Sequence, residues 1–231
     1  MAFLVDVVRE AWQVLVEFGP ELRSVLGLTL VVSGLATILG VVIGVPLGVI
    51  LGSERFRGRG AMTALVNTGM GMPPVLAGLL LLLLLWNSGP LGSWGILFTP
   101  LAMVLAQTLL AIPIAAGVTA GAVRGLSPDV HEQARAMRLG RIARWRVLGG
   151  EAWPGIMAAT AAAFGRVVSE VGAVLIVGGN IEGETRVLTT AIVQESRRAD
   201  FATAVAMGIV LMVLALSVNV VLTWSQLRER P

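Results

Sequence analysis

Apolar residues along the chain fall into long runs without charge, parted by short polar segments. Residues 2 to 18 are the exception. Phe3, Leu4, Val7, Val8, Ala11, Leu15 and Phe18 share one face at helical spacing, while Asp6, Arg9, Glu10, Gln13 and Glu17 lie mostly on the other. That pattern predicts a helix lying in a membrane interface rather than crossing it, ended by Gly19-Pro20. Ser24 to Ser53 then runs thirty residues without a charge, enough for a first span over about Leu26 to Leu51. After Arg59 the next charge is Arg124, so 64 residues pass uncharged. One helix cannot use that length and two can. The turn-rich segment Asn87 to Gly95 divides them into a second span, Ala61 to Trp86, and a third, Pro100 to Val123, with Trp86 and Trp94 as interfacial anchors. A fourth span is predicted over Pro154 to Val177 and a fifth over Phe201 to Trp224. Between them, Val187 to Ser196 reads as a short surface helix, and Asp200 as a cap on the fifth span.

Composition sharpens this picture. Of 231 residues, 56% are hydrophobic and only 13% charged, which points to a membrane rather than to a soluble core. Cysteine is absent, excluding disulfides, thiolate metal sites and cysteine nucleophiles. His131 is the single histidine, so a multi-histidine metal site is excluded within one chain. All seventeen basic residues are arginine. Without lysine there is no phosphate loop of the form GxxxxGK[ST], so the chain is not its own typical ATPase. A secretory signal is not expected at the start either, since Asp6, Arg9 and Glu10 interrupt the apolar core.

The arginines flank the spans, which makes nucleic acid a poor partner and sets an orientation. Arg55, Arg57, Arg59, the six from Arg124 to Arg146, Arg228 and Arg230 fall on one side, giving eleven. Arg9, Arg23, Arg186, Arg197 and Arg198 fall on the other, giving five, and Arg166 lies inside the fourth span. With five spans, the N-terminus is outside and the C-terminus cytoplasmic.

The longest polar stretch, 125–153, opens on Leu126-Ser127-Pro128-Asp129. Ser127 suits a helix cap, Pro128 the first helical position, and Asp129 the positive end of the helix dipole. Arg135, Arg138, Arg141 and Arg144 recur every third residue, and Gly140 ends or bends the helix. The result is a short basic helical hairpin in water, in which His131 is a solvated helix residue. Two further places are candidates for transport. Asn67-Thr68-Gly69-Met70-Gly71-Met72-Pro73-Pro74 carries two prolines, which remove two helix N–H donors. Such a break at membrane depth lines a watery cavity or is buried in protein, unless it is a mere packing kink. Arg166 and Glu170 are four residues apart, on one face of a continuous fourth span. Both must face protein or water, because a charge in lipid costs at least about 2.5–3.5 kcal/mol. A mutually neutralising pair is the preferred reading, since an unpaired Glu170 would repel an anion. Arg166 as an attractive group for an oxyanion is the other.

Glu132-Gln133-Ala134, followed by a glycine and then by Glu151-Ala152-Trp153-Pro154, resembles the EAA loop of the permease subunits of ABC importers. In that family the loop docks on a cytoplasmic ATPase. Here Gly140 falls eight residues after Glu132, where the family glycine usually falls six after. The runs NTGMGMPP, LFTPLAMVLAQTLLAIPIAAGVTA and FGRVVSEVGAVLIVGGNIEGETRVLTTAI are similar to the corresponding parts of tungstate-type permeases. The resemblance covers nearly everything from Leu26 onward. It implies an all-α integral membrane protein, with five transmembrane helices of the type I ABC importer permease core and an N-terminal interfacial helix. Residues 1–20 would form that helix and residues 21–231 the permease domain. It further implies a non-catalytic subunit of the prokaryotic inner membrane that moves tungstate, or else molybdate or sulfate. A homodimer, two ATPase subunits that hold the ATP and magnesium, and an extracytoplasmic binding protein are the implied partners. Ser127, Asp129, Glu132, Gln133, Ala134, Arg135 and Gly140 would couple to the ATPase. Asn67, Pro73, Pro74, Arg166, Ser169 and Glu170 would line the pathway, and this chain itself would hold no cofactor or metal. A passive anion channel is the remote rival, and an intramembrane enzyme lacks the histidine pair or serine–lysine dyad it would need.

Overall fold

The computed structural model describes residues 2–137 and 139–228, and every regular element among them is helical. Helices α1 (Ala2–Glu17) and α2 (Pro20–Ser53) meet at a tight joint. Phe18 adopts left-handed backbone there, with φ of 41°. Its carbonyl accepts a hydrogen bond from Arg23 Nε at 2.8 Å, and its ring lies 5.6 Å beneath that guanidinium. Pro20 opens α2 as a first-turn proline, so the helix starts earlier than Leu26 and takes in Glu21 and Arg23.

Helices α3 (Arg59–Met70) and α4 (Pro74–Leu85) are bent by 103° at the break between them. Pro73 is extended, with ψ of 124°, and Pro74 begins α4, so the missing N–H groups fall where no helix bond is needed. A packing kink is far smaller than this. After a single 3-10 turn at Gly92–Trp94 come α5 (Pro100–Arg124), α6 (Pro128–Ala136) and α7 (Arg141–Glu151). Then follow α8 (Trp153–Val168), α9 (Gly172–Gly178), α10 (Leu188–Arg197) and α11 (Phe201–Arg228).

The fourth span is not the continuous helix over Pro154 to Val177 that its composition predicts. It stops at Val168 and resumes at Gly172 with a bend of 57°. Glu170 is the physical reason. Its own Oε1 accepts the Ala173 N–H at 3.1 Å, and its carbonyl accepts the Thr189 hydroxyl at 2.8 Å, so neither group continues a helix ladder. Arg166 and Glu170 therefore do not share one face of a continuous helix. By length and composition, α2, α5 and α11 are long and apolar enough to cross a membrane, and the total reaches five if each bent pair counts as one span.

Two compact units emerge from the packing. The first comprises Met1–Ala36, Pro73–Gln107 and Val168–Ser217, the second Thr37–Met72, Thr108–Val167 and Val218–Pro231. In the first, Leu188 and Ala191 of α10 pack with Leu22 and Val25 of α2 and Met207 of α11. The Leu188 N–H donates to Thr29 Oγ1 at 2.9 Å, while the Thr29 hydroxyl donates to the Val25 carbonyl at 2.7 Å. The helix predicted at Val187 to Ser196 exists, but it is no surface helix: Leu188, Thr189, Thr190, Ala191 and Glu195 are all buried. Asp200 caps α11 as expected, its Oδ1 accepting the Thr203 N–H at 3.1 Å.

In the second unit, Gly40, Gly44, Gly48 and Gly52 form one face of α2, set against Ala111, Ala115, Thr119 and Val123 of α5. A Cβ at Gly44 would stand 2.7 Å from the Ile112 carbonyl oxygen, and one at Gly48 would stand 2.6 Å from that of Ala116. Only glycine lets the two backbones come this close, which is how apolar helices associate where lipid removes the hydrophobic drive.

Candidate functional site

The α6–α7 hairpin is built on the second unit. Val130 and Ala134, one turn apart on α6, face inward. Ala134 is 2% exposed and packs with Val49, Val123, Leu148 and Ala152. Asp129, Glu132 and Gln133 are exposed, as is Ser127, whose carbonyl accepts the Val130 N–H at 3.2 Å just ahead of α6. Gly140 neither ends nor bends α6. It stands at the start of α7 in extended conformation, with ψ of 158°, so the chain between the helices reaches from Met137 to Gly140. Arg138 lies outside the described residues, as do Arg230 at the C-terminus and the side chains of Arg135 and Arg228. Of the predicted coupling residues, the structure thus gathers Ser127, Asp129, Glu132 and Gln133 on an open face, while Ala134 is part of the seat.

Two residues that tie the hairpin down, and a third that closes the end of α2 beside it, carry no motif. Glu54, just past α2, is ion-paired with Arg144 of α7 and accepts a hydrogen bond from Trp145 Nε1 at 3.0 Å. Burial pushes its carboxyl up, but those two bonds and the charges of Arg144 and Arg141 outweigh burial and leave it below the ordinary carboxylate value. His131 is not the solvated residue its surroundings in sequence suggest. It is half-buried, and its Nε2 donates to the Val123 carbonyl at 3.1 Å, satisfying an acceptor in the last turn of α5. Arg59 does the same for α2, donating from Nε to the Leu51 carbonyl at 2.9 Å. Such contacts depend on which helix ends meet in space, and no periodicity announces them. The one available signal was Glu54 itself, the lone acid in a loop of three arginines.

The predicted pathway residues divide between the units. Asn67 is exposed on α3 and Arg166 half-buried on α8, both in the second unit. Pro73, Pro74, Ser169 and Glu170 belong to the first. There the structure brings two of the breaks together, because α4 and α9, which begin at them, pack closely. A Cβ at Gly78 would stand 2.7 Å from Cα of Ala173, and one at Gly172 would stand 2.7 Å from Cγ2 of Val75. Pro74 is half-buried, Pro73 and Ser169 are exposed, and Glu170 is 5% exposed. Among the described residues no cluster of three or more histidine, aspartate or glutamate side chains is placed to hold a metal ion.

Residues 44–231 match the family described as binding-protein-dependent transport system inner membrane component. A probable anion ABC transporter permease protein of Haloferax volcanii is 42% identical over 203 residues, covering 86% of this chain and 88% of its own. A tungstate uptake system permease protein of Peptoclostridium acidaminophilum is 32% identical over 222 residues, covering 96% and 97%. Among solved structures, a bacterial ABC transporter that imports the acidic polysaccharide alginate superposes with a TM-score of 0.72 at 21% identity, over 94% of this chain and 82% of its own. That likeness shows the fold alone, the all-helical fold of type I importer permeases.

Proposed function

This chain belongs to the family of binding-protein-dependent transport system inner membrane components, and we propose that it is the permease subunit of an ABC importer for a tetrahedral oxyanion, tungstate first. The observation that carries the reading is the similarity to a tungstate uptake permease over 96% of this chain, reinforced by the 42% identity to a probable anion permease. Molybdate and then sulfate are the alternatives. The permease performs no chemistry of its own. Two copies form a homodimer, two ATPase subunits bind ATP and magnesium beneath it, and a binding protein delivers the anion from outside.

The hairpin supports this mechanism. Asp129, Glu132 and Gln133 face outward, ready for an ATPase groove, while Ala134 and the Glu54–Arg144 pair fix the same hairpin to α2 and α5. Movement of the docked face is delivered to the spans, and the broken helices that begin at Pro74 and Gly172 change the access of the pathway. Asn67, Pro73, Pro74, Arg166, Ser169 and Glu170 line it. Residues 1–20 lie in the membrane interface, a reading supported by the exposed Phe3, Leu4, Val5, Val8, Trp12 and Val16. Residues 21–231 form the permease domain, with the N-terminus outside and the C-terminus in the cytoplasm.

The test is cellular tungsten and molybdenum by mass spectrometry, with and without the gene, in medium holding both at equal trace levels. Selective loss of tungsten is expected. Loss of molybdenum alone would move the cargo, and no loss of either would overturn the cargo assignment altogether.

A further inference from the structure

One cavity of the second unit opens beside the seat of the hairpin. It measures about 370 Å³, and its walls include Glu54, Arg55, Arg59, Arg124, His131 and Glu132. Glu54 is already neutralised by Arg144. The wall then holds three arginines against the single exposed carboxylate of Glu132. No ion pair involves Arg55, Arg59 or Arg124 among the described residues. Arg59 is held by its Nε bond to Leu51, which leaves its two Nη groups to serve another acceptor.

The place of the cavity matters as much as its charge. Arg55 follows the end of α2, Arg59 begins α3, Arg124 closes α5, and Pro128 opens α6 beside them. The uncharged lengths of α2 and α5 stop here, so these arginines stand where apolar span gives way to water, the level of lipid phosphates. The first turn of α6 adds the positive end of a nine-residue helix. Planar guanidinium forks suit a tetrahedral phosphate oxygen set better than any apolar or cationic guest.

We propose that this cavity binds a phosphate-bearing anion, either the headgroup of an anionic lipid or free phosphate, and that its occupancy braces the start of α6, where Pro128 and His131 line the wall. The inference stands apart from the identity of the cargo.

The full-length chain would be placed in nanodiscs of phosphatidylcholine, with or without phosphatidylglycerol, and retained lipid counted by native mass spectrometry. Separately, inorganic phosphate would be titrated against the chain in phosphatidylcholine discs, reading the melting temperature. The variants are Arg55→Gln and Arg124→Gln, which leave the Arg59–Leu51 bond intact, and Arg57→Gln, an exposed arginine outside the cavity wall. Binding is expected to weaken about tenfold for each cavity arginine removed and to be unchanged by Arg57→Gln. Saturable retention of phosphatidylglycerol without a phosphate shift identifies a lipid headgroup, and the reverse identifies free phosphate. Binding of neither, or equal weakening by Arg57→Gln, overturns the proposal. Amide exchange over residues 128–136 reads the bracing directly: protection must rise with ligand in the wild type and not in Arg124→Gln.

Discussion

Glu54 and Arg144 are ninety positions apart in the chain and form an ion pair at the base of the hairpin, with Trp145 donating to the same carboxylate oxygen. Because the folded carboxyl is held below its ordinary value, the pair contributes stability above the unfolded-state value of about 4.3 and loses it as pH falls through the lower folded value. Glu54→Gln is expected to destabilise the chain by about 1–2 kcal/mol at neutral pH, and by progressively less as the wild-type carboxyl protonates. Thermal melts of both proteins in detergent, at neutral pH and near pH 3–4, check the sign. A difference that grew on acidification would contradict the assignment.

Gly48 tests the close approach of α2 to α5. Gly48→Ala would push a methyl to 2.6 Å from the Ala116 carbonyl oxygen and from Cβ of Thr119. Backbone cannot yield as a flexible side chain does, so a cost of about 1–3 kcal/mol is expected. Gly208→Ala in α11 meets nothing within 4 Å and should be neutral or stabilising by up to about 1 kcal/mol. Melting temperatures of the two variants should move apart, and parallel behaviour would show that the helix contact is looser than described.

Glu170 separates a capping role from a charge role. Glu170→Gln keeps an oxygen for the Ala173 N–H, whereas Glu170→Leu leaves that donor without it in a buried place. The leucine variant should lose about 1–3 kcal/mol and the glutamine variant much less, read as yield and melting temperature. If the glutamine variant is equally stable yet fails in uptake, the carboxylate charge serves the pathway.

Glu132 and Ala134 lie two positions apart on α6 and should fail differently. Glu132→Arg places opposite charge on the exposed face: the chain should accumulate and melt normally while uptake and ATPase co-purification are lost. Ala134→Glu buries a charge in the seat and should lower yield and melting temperature by several degrees, at a cost of about 3 kcal/mol or more. Normal uptake in Glu132→Arg would remove that residue from the docking face.

Much of this fold was legible because lipid demands simple lengths. The uncharged runs gave α2, α5 and α11 to within a few residues at most ends, and the paired prolines announced the break before α4 through the N–H groups they lack. The break before α9 carries no such mark. Ser169, Glu170 and Val171 look like one more turn of helix, and what stops it is a side chain folding back on Ala173 while Thr189, nineteen positions on, takes the carbonyl. The same holds for α10, whose threonines read as polar surface but are buried with their hydroxyls bonded to backbone, as at Thr189 and Thr190. At the hairpin, the polar stretch announced two short helices, and Asp129 and Glu132 on the first are exposed. It did not give Glu54 or the inward turn of His131, because both answer to helix ends that meet only in three dimensions.

The glycine face of α2 has one more consequence, for how force travels. Sliding α2 by a single residue would bring Val41, Val45 or Val49 toward places where a lone methyl already collides with α5. The lower half of α2 is therefore keyed to α5 like a shaft in a slot, not seated like a bearing. Axial displacement of that part of α2 would therefore carry α5 with it.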